Sequence, residues 1–352
     1  MCLRILYKFI ILLLFVFQFT CLLNYSQVGG TGTYDFLNLT NSARVAALGG
    51  KNITLNDSDL NMPFHNPSLL SPQMDRNLVL NYVLYYADIN FGYVSYAFDE
   101  KQTGTFAIGV HYINYGEFDA ANTSGLITGK FYAAEYALNI IYSRPLSSFL
   151  RWGVNLKPIY SNLERYNSYG IAIDLGITFT SESKLTSVAF VARNMGVQLK
   201  SYTGNYTEPL SYELLLGFTH KFQYAPFRFS ITAQNLQKYQ LRYDLPDEDP
   251  SSFSSNINQQ SNFGKFTDNF FRHIIAGMEF LPSKSFYISF AYNYQRRKEM
   301  ALLDSPGTVG FSFGTGIRLK KFSFNYGWAK YHAIGGSNHF SFLINLSQLY
   351  HK

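Results

Sequence analysis

Cysteine is confined to the amino terminus of this sequence, where Cys2 and Cys21 are the only two. A mature chain that begins at Gln27 would therefore contain no disulfide, no thiolate metal ligand and no cysteine nucleophile. Charge is also scarce, because Asp, Glu, Lys and Arg make up 15% of the residues, against about 25% in an ordinary soluble domain. The net charge of +6 comes without a cluster of Lys and Arg, so we expect no nucleic-acid partner.

Long apolar runs are missing after the amino terminus, so the sequence predicts no membrane-spanning helix there. Aromatic residues are abundant instead, at 18% of the chain, with 28 Tyr and 32 Phe. The mean hydropathy of −0.07 is too low for a bundle of membrane helices. This composition is typical of a membrane barrel, which alternates apolar and polar residues and places aromatic rings at the membrane interfaces.

The amino terminus predicts a signal peptide over residues 1–26. A basic stretch precedes an apolar run over residues 9–19, and Ser26 offers a small residue at the cleavage site. The run is shorter than the ~20 residues that span a bilayer, which favours a cleaved signal over an anchor. A lipoprotein signal that uses Cys21 is the weaker alternative, since the residues before it lack the small side chains of such a signal.

The rest of the sequence repeats one pattern, in which about ten alternating residues are followed by turn residues. Between residues 171 and 179, five apolar side chains share one face of a strand, and small or polar ones share the other. The same holds for residues 286–294 and 309–319. The fourteen segments with this pattern lie near 76–86, 88–98, 103–114, 130–142, 149–163, 168–180, 184–194, 211–221, 227–236, 270–281, 284–296, 308–319, 321–331 and 337–347.

The second face of these segments is made of Gly, Ala, Ser, Thr and Asn with few charges, which suits a wet or plugged lumen better than the surface of a soluble sandwich. The sequence therefore predicts an all-β fold, a transmembrane antiparallel β-barrel of about 14 strands over residues 76–352. The first two strands alternate poorly, so their register stays open. The residues predicted to face inward include Ala107, Gly109, Asp174, Gly176, Arg228, Ser230 and Thr232.

Connection lengths indicate which end of the barrel faces outward. In barrels of this kind both ends of the strand array lie in the periplasm, so odd-to-even connections are outer and long, while even-to-odd ones are short. Predicted outer connections are 87, 115–129, 164–167, 195–210, 237–269, 297–307 and 332–336, and predicted inner ones include 181–183, 222–226, 282–283 and a turn at Lys320. Only two of the outer connections, 87 and 164–167, are short.

Residues 27–75 do not alternate and are predicted to fold back as a plug-like segment, because the lumen of a fourteen-strand barrel is wide enough to need filling. Within them, Asn41-Ser42 can cap a short helix over 43–48 that Gly49 and Gly50 end. At the other end of the chain, alternation from Phe340 to Leu346 predicts a final amphipathic strand, with Tyr350 on the same face.

Catalytic and metal-binding motifs are not found. The 7 histidines form no closely spaced ligand pair, and Asp57 and Asp59 begin a calcium-like loop whose glycine position holds Met62. The acidic cluster Asp244, Asp247, Glu248 and Asp249 fits a solvated loop better than a calcium site or a patch for a basic partner. We therefore expect no enzyme activity, no cofactor and no metal.

A family resemblance rests on the segment before the strands. The stretch Ser42, Ala43, Arg44, Val45, Ala46, Ala47, Leu48, Gly49 and Gly50, followed by Asn66 and Pro67, resembles the amino-terminal signature of the PorV/PorQ barrels, which are distant relatives of the FadL channels. The stretches 87–92, 113–116, 135–138 and 142–145 narrow this resemblance to the PorQ family. It extends over essentially the whole mature chain, no stretch of which departs clearly from the family pattern, and the acidic loop at 244–249 is left unassigned.

The resemblance implies a non-catalytic outer-membrane component of the type IX secretion system of Bacteroidetes. Such a protein anchors the surface protein PorZ and, with PorU and PorV, forms the attachment complex that joins cargo to anionic lipopolysaccharide. Membrane lipid is an expected contact, and lipopolysaccharide is a further candidate. The predicted partner-docking residues on the long outer loops are Tyr202, Tyr206, Tyr239, Tyr243 and Phe253. The alternative is a FadL-like channel for hydrophobic molecules, which needs an apolar path through the lumen.

Overall fold

A computed structural model describes residues 32–86, 89–204, 206–242, 262–301, 307–330 and 335–350. The predicted signal peptide, Tyr243, Phe253 and the acidic cluster at 244–249 lie outside the described residues. So do Ala87 and Asp88 of the family resemblance.

The described residues form a closed antiparallel barrel of fourteen strands, in which each strand pairs with its sequence neighbours and β1 closes the ring against β14. This confirms the predicted fold class. The strands are β1 Asn77–Leu84, β2 Asn90–Glu100, β3 Gly104–Ala121, β4 Ile127–Pro145, β5 Leu150–Leu163, β6 Tyr166–Thr180, β7 Thr186–Lys200, β8 Glu213–Lys221, β9 Phe227–Ala233, β10 Ile274–Phe280, β11 Phe286–Asn293, β12 Phe311–Arg318, β13 Phe322–Ala329 and β14 Ser337–Asn345.

Alternation along each strand separates an apolar exterior from a small or polar interior. In β6, Ala172, Asp174 and Gly176 face inward, while Ile173 and Leu175 are 38% and 47% exposed on the outside. Every residue predicted to face inward lies on the inner face of its strand. A continuous apolar exterior is the surface that lipid tails require, so the barrel spans a membrane.

The register of the first two strands, open in the sequence, is fixed by their neighbours. Leu80 pairs with Phe342 of β14 on one side and Val94 of β2 on the other. Val79 and Val83 point into the barrel and are fully buried. A slip of one residue would turn these valines outward and the aromatic Tyr82 inward, so the interior contacts decide the register.

Four sequence predictions were wrong at the strand ends. Residues 115–129 are mostly not a loop, because β3 and β4 continue as a hairpin beyond a register shift near Asn114 and Glu117. Likewise β7 reaches Lys200, so only the second part of 195–210 is a connection. Val309 precedes β12 and is buried rather than lipid-facing. The last strand ends at Asn345, where the chain turns helical, so its alternating face does not extend to position 350.

The described helices are short. Two lie before the first strand, α1 Ala43–Ala47 and α2 Met62–His65, and three follow, α3 Asn262–Arg272, α4 Tyr294–Met300 and α5 Leu346–Tyr350. Ser42 caps α1 by accepting a hydrogen bond from the Val45 amide, and Gly49 and Gly50 end it at φ of 89° and 96°, as predicted. Among the described helices, none is long and apolar enough to cross a membrane.

The segment before β1 passes lengthwise through the barrel. We term the end with the odd-to-even connections the outer end. There the Thr33 amide donates to Pro209 O in the β7–β8 connection, at 3.0 Å. At the inner end the Arg76 amide donates to Ala97 O of β2, at 2.9 Å. Residues 33–75 therefore fill the lumen from one mouth to the other.

Candidate functional site

Glycines in the wall make room for the plug-like segment. A Cβ built at Gly327 of β13 would overlap the carbonyl oxygen of Ala43, and one at Gly314 of β12 would overlap the Ala47 side chain. On the other side of the lumen, Gly153 and Gly176 lie against Pro67 and Asn66 in the same way. The backbone of the wall and the plug approach closely at these points, which only glycine permits.

Gly327→Val tests this contact. We expect the free energy of unfolding to fall by about 1–3 kcal/mol or more, because the added side chain meets plug backbone that cannot swing aside. Chemical unfolding of the refolded barrel in lipid measures the change. Gly129→Val is the control, since nothing lies within 4 Å of a Cβ at that strand position, and equal unfolding midpoints for the two variants would contradict the packing.

The residues of the plug segment that carry the family resemblance lie inside the barrel. Asn66 Nδ2 donates to Ile53 O at 2.7 Å and to Thr178 Oγ1 of β6 at 2.9 Å, and Pro67 follows it against β5. The Ala43 amide donates to Ser341 Oγ of β14 at 2.9 Å. The stretch from Ser42 to Gly50 is buried throughout in the lumen. These residues anchor the segment to the wall and offer nothing to a partner outside.

Arg44 is the centre of an ion-pair network near the inner end. Its Nε lies 2.8 Å from Glu279 Oε1 of β10 and its Nη2 lies 2.7 Å from Asp57 Oδ2. Arg228 of β9 and Arg318 of β12 each reach Asp57 Oδ2, at 3.1 and 3.0 Å. Three arginines therefore neutralise Asp57, which begins the calcium-like loop of the sequence.

An aromatic ring completes this network, which also includes Asp59, whose Oδ2 lies 3.6 Å from Arg44 Nη1. We term it the Arg44 network (Arg44, Asp57, Asp59, Arg228, Glu279 and Arg318). The Tyr287 ring has the guanidinium carbons of Arg44 and Arg318 at 4.7 and 5.3 Å from its centroid. Its hydroxyl donates to Asn325 Oδ1 at 2.8 Å. Cations over a ring face are held by its quadrupole, so one buried tyrosine links plug, β11, β12 and β13.

The charge state of Asp57 gives the plug a pH dependence. Burial alone would raise the pKa of this carboxyl, but Arg318, Arg44 and Arg228 outweigh it and hold the pKa well below its usual range. A depressed pKa in the folded chain stabilises it above the unfolded pKa of about 3.9, and the stabilisation is lost as pH falls through the folded value.

We therefore expect Asp57→Asn to destabilise the barrel by a constant amount above about pH 5 and by progressively less below about pH 4. Urea unfolding midpoints of both chains from pH 8 to pH 3 measure this difference. Subtraction removes the titration of every other group the two chains share. A difference that stayed constant down to pH 3 would contradict the assigned role of Asp57.

A second polar cluster lies against one side of the lumen, and we term it the Lys157 cluster (Lys157, Asp174, Arg193 and Asn194, with the Phe64 ring). Lys157 Nζ of β5 lies 2.6 Å from Asp174 Oδ2 of β6 and donates to Asn194 Oδ1 of β7 at 2.9 Å. The Phe64 ring of the plug has Lys157 Nζ at 5.5 Å and Arg193 Cζ at 5.7 Å. All of these side chains are buried, so the cluster fixes α2 to one side of the wall.

The structure also contains a small cavity, of about 200 Å³, at the inner mouth. Its lining includes Asp57, Asp59, Arg318 and Lys321. Ligand sites for hydrophobic molecules are mostly apolar, so this charged cavity does not provide one. Among the described residues, no group of three or more His, Asp or Glu side chains could hold a metal ion.

The predicted docking tyrosines differ in where they lie. Tyr202 is half-buried: its hydroxyl donates to Ser161 Oγ at 2.7 Å, and its ring packs on the apolar cluster around Tyr34 and Phe91 at the outer end of the lumen. Its docking role stays a prediction. Tyr206 and Tyr239 are 72% and 82% exposed on the outer connections. They are available to a partner and stay predictions as docking residues.

Sequence reasoning missed Glu279 and Lys157 as plug contacts. Both occupy inward positions of alternating strands, Glu279 two residues after Gly277 and Lys157 between Asn155 and Ile159. A charge between uncharged inward neighbours was the available signal, because a buried charge needs a partner of opposite sign. That partner could not be identified, since Arg44 and Glu279 are far apart in the chain.

Comparison with known proteins gives similarity in fold. No protein-family model matches the chain, and no curated protein matches it. Similar solved structures include the Ralstonia pickettii toluene transporter TbuX, at 10% identity and a TM-score of 0.49, covering 88% of this chain and 97% of that one. The Pseudomonas putida toluene transporter TodX is 12% identical, with a TM-score of 0.49, and the match covers 88% of this chain and 99% of that one. A Pseudomonas aeruginosa FadL homologue is 9% identical, with a TM-score of 0.45, and the match covers 87% of this chain and 98% of that one.

Proposed function

We propose that this chain is a non-catalytic outer-membrane component of a type IX secretion system, and that it anchors a PorZ-like surface protein beside PorU and PorV. The proposal rests on the sequence resemblance together with one structural observation: the lumen is filled from end to end by residues 33–75. A barrel whose interior is occupied by its own chain is suited to hold partners at its rim rather than to pass solutes.

The way the plug is held supports a static role. The Arg44 network joins it to β9, β10 and β12, and the Lys157 cluster joins it to β5, β6 and β7. Removing the segment from the lumen would break the ion pairs of Arg44 with Glu279 and of Asp57 with Arg228 and Arg318. The part of the chain that carries the family resemblance thus makes the barrel a rigid platform.

Partner capture through the outer rim is the direct test. A tagged chain extracted in mild detergent should copurify with a surface protein, and deletion of the gene should release cargo from the cell surface into the medium. Tyr206→Ser combined with Tyr239→Ser should weaken capture, by roughly 30-fold if they contribute about 2 kcal/mol as interface hot spots do.

Tyr224→Ser is the matched control, because Tyr224 is 94% exposed in the inner β8–β9 turn. Capture of the surface protein should be unchanged in this variant. A chain that copurified with no surface partner, together with cargo that stayed attached after deletion, would refute the attachment role.

A channel for hydrophobic molecules is the second candidate, and one observation favours it. The ladder between β6 and β7 is interrupted between Ile173 and Leu175, where Asn194 adopts a φ of 56°. Bulges bend a strand and locally break pairing, so this is where the wall could admit a ligand from the side. TbuX and TodX, which have a similar fold, are toluene transporters.

Uptake measurements separate the two candidates. A channel predicts that deletion slows entry of labelled toluene or fatty acid while surface attachment of cargo stays normal. An attachment component predicts the reverse on both counts.

A further inference from the structure

The outer helix α3 presents its apolar face away from the protein. Phe263, Phe266 and Phe270, spaced as one stripe of a helix, are 78%, 57% and 52% exposed. On the opposite side Asp268 is buried, accepting from Tyr294 Oη at 2.7 Å and Arg272 Nε at 2.9 Å. This arrangement reverses that of a helix in water, whose apolar face packs against its own protein.

The phenylalanine stripe continues the lipid-facing surface of the barrel. Aromatic rings follow one another from mid-wall to the helix, with centroids between 4.9 and 6.5 Å apart. The sequence of neighbouring rings is Phe313, Phe290, Phe311, Tyr292, Tyr294, Phe271 and Phe270. Since the lower rings face lipid tails, the upper ones lie where the membrane surface meets water.

Charge around the helix fits the same surroundings. Lys265 is exposed on α3, and Lys298 of the neighbouring helix α4 is 45% exposed with its Nζ 3.8 Å from Asp268 Oδ1. Amphipathic helices at membrane surfaces combine aromatic residues on one face with basic residues near the headgroups. Anionic lipid phosphates are the partner that these lysines suit.

We propose that α3 is an interfacial helix, which inserts Phe263, Phe266 and Phe270 into the headgroup–acyl boundary of the outer leaflet and holds the β9–β10 connection at the membrane surface. Such helices bury their apolar face by about 5–10 Å. The lipid contact does not depend on the secretion role, because it needs only the membrane-spanning barrel.

Single cysteines test this proposal cleanly, since the chain from Gln27 onward has none. Phe266→Cys and its neighbour Lys265→Cys, each carrying a polarity-sensitive fluorophore, are refolded into phosphatidylcholine–phosphatidylglycerol vesicles. We expect several-fold stronger quenching at position 266 than at 265 by nitroxide on the upper part of the lipid acyl chain, and the reverse order with aqueous iodide. Phe263→Cys repeats the test if Phe266→Cys does not fold, as judged by its heat-modifiable gel mobility.

Two outcomes overturn the proposal. Equal iodide quenching at both positions shows that the stripe lies in water. A probe at 266 that is shielded from iodide and from lipid nitroxide alike is covered by protein, either a second copy or a partner. If the probe at 266 does contact lipid, its quenching in vesicles with and without lipopolysaccharide distinguishes phospholipid from lipopolysaccharide as the source of the phosphate groups.

Discussion

Replacing Arg44 with alanine will lower the free energy of unfolding by about 3–5 kcal/mol, the loss expected when one member of a buried ion pair is removed. Glu279 is 1% exposed and accepts two hydrogen bonds from Arg44. Without the guanidinium, the Arg44 network keeps two arginines, Arg228 and Arg318, for Asp57, Asp59 and Glu279. Glu279 would stay buried without its two-pronged partner, which is why the effect is large.

Urea unfolding of the barrel refolded in lipid vesicles measures this change. Arg144→Ala is the control, because Arg144 is exposed in β4 and surface substitutions change stability by about 0.5 kcal/mol or less. Arg44→Lys should recover part of the loss, since it restores the charge without the two-pronged geometry. Equal midpoints for Arg44→Ala and Arg144→Ala would show that the network contributes nothing to stability.

Deleting residues 33–70 will convert a closed barrel into a conducting one. The wall that the segment covers is lined by side chains such as Asn139, Asn155, Asp174 and Ser341, which water can solvate. Wide barrels with polar interiors carry ions. In planar bilayers we expect no discrete steps from the full chain and porin-like steps from the deletion, whose fold is verified by its heat-modifiable mobility.

The single substitution Arg44→Ala separates plug removal from plug loosening. It leaves the segment in place, so its bilayers should show brief openings at most. A full-length chain that conducted as steadily as the deletion would contradict a filled lumen and would favour the channel over the attachment role. A folded deletion that stayed silent would mean that other parts of the chain close the barrel.

Much of the fold could be predicted from the sequence, because every second residue of a membrane strand faces lipid and must be apolar. The alternation of residues 171–179 marked β6, and the fourteen segments predicted from such patterns are the fourteen strands of the barrel. The helix over 43–47 was also predictable, because a cap at Ser42 and two glycines mark its ends locally. The short inner connections were predictable too, because turn residues follow directly after the strand at each of them.

Other features depended on contacts between distant parts of the chain. The β3–β4 hairpin beyond Asn114 carries little alternation, and only pairing of its strands defines it. Tyr202 is an aromatic residue of the kind that interfaces favour, but the fold turns it toward Ser161 and the lumen. Residues 87–88 and 243–261, with two of the predicted docking residues, lie outside the described part of the structure, so those predictions stand untested.

The barrel was therefore determined by the sequence alone, because period-two alternation is a local property that each segment carries by itself. The tertiary structure decided what fills the barrel and how it is held. Arg44 meets Glu279 only because β10 and α1 are brought to the same level of the lumen. A charge in a sequence shows that a partner is needed, while its identity follows from three-dimensional proximity.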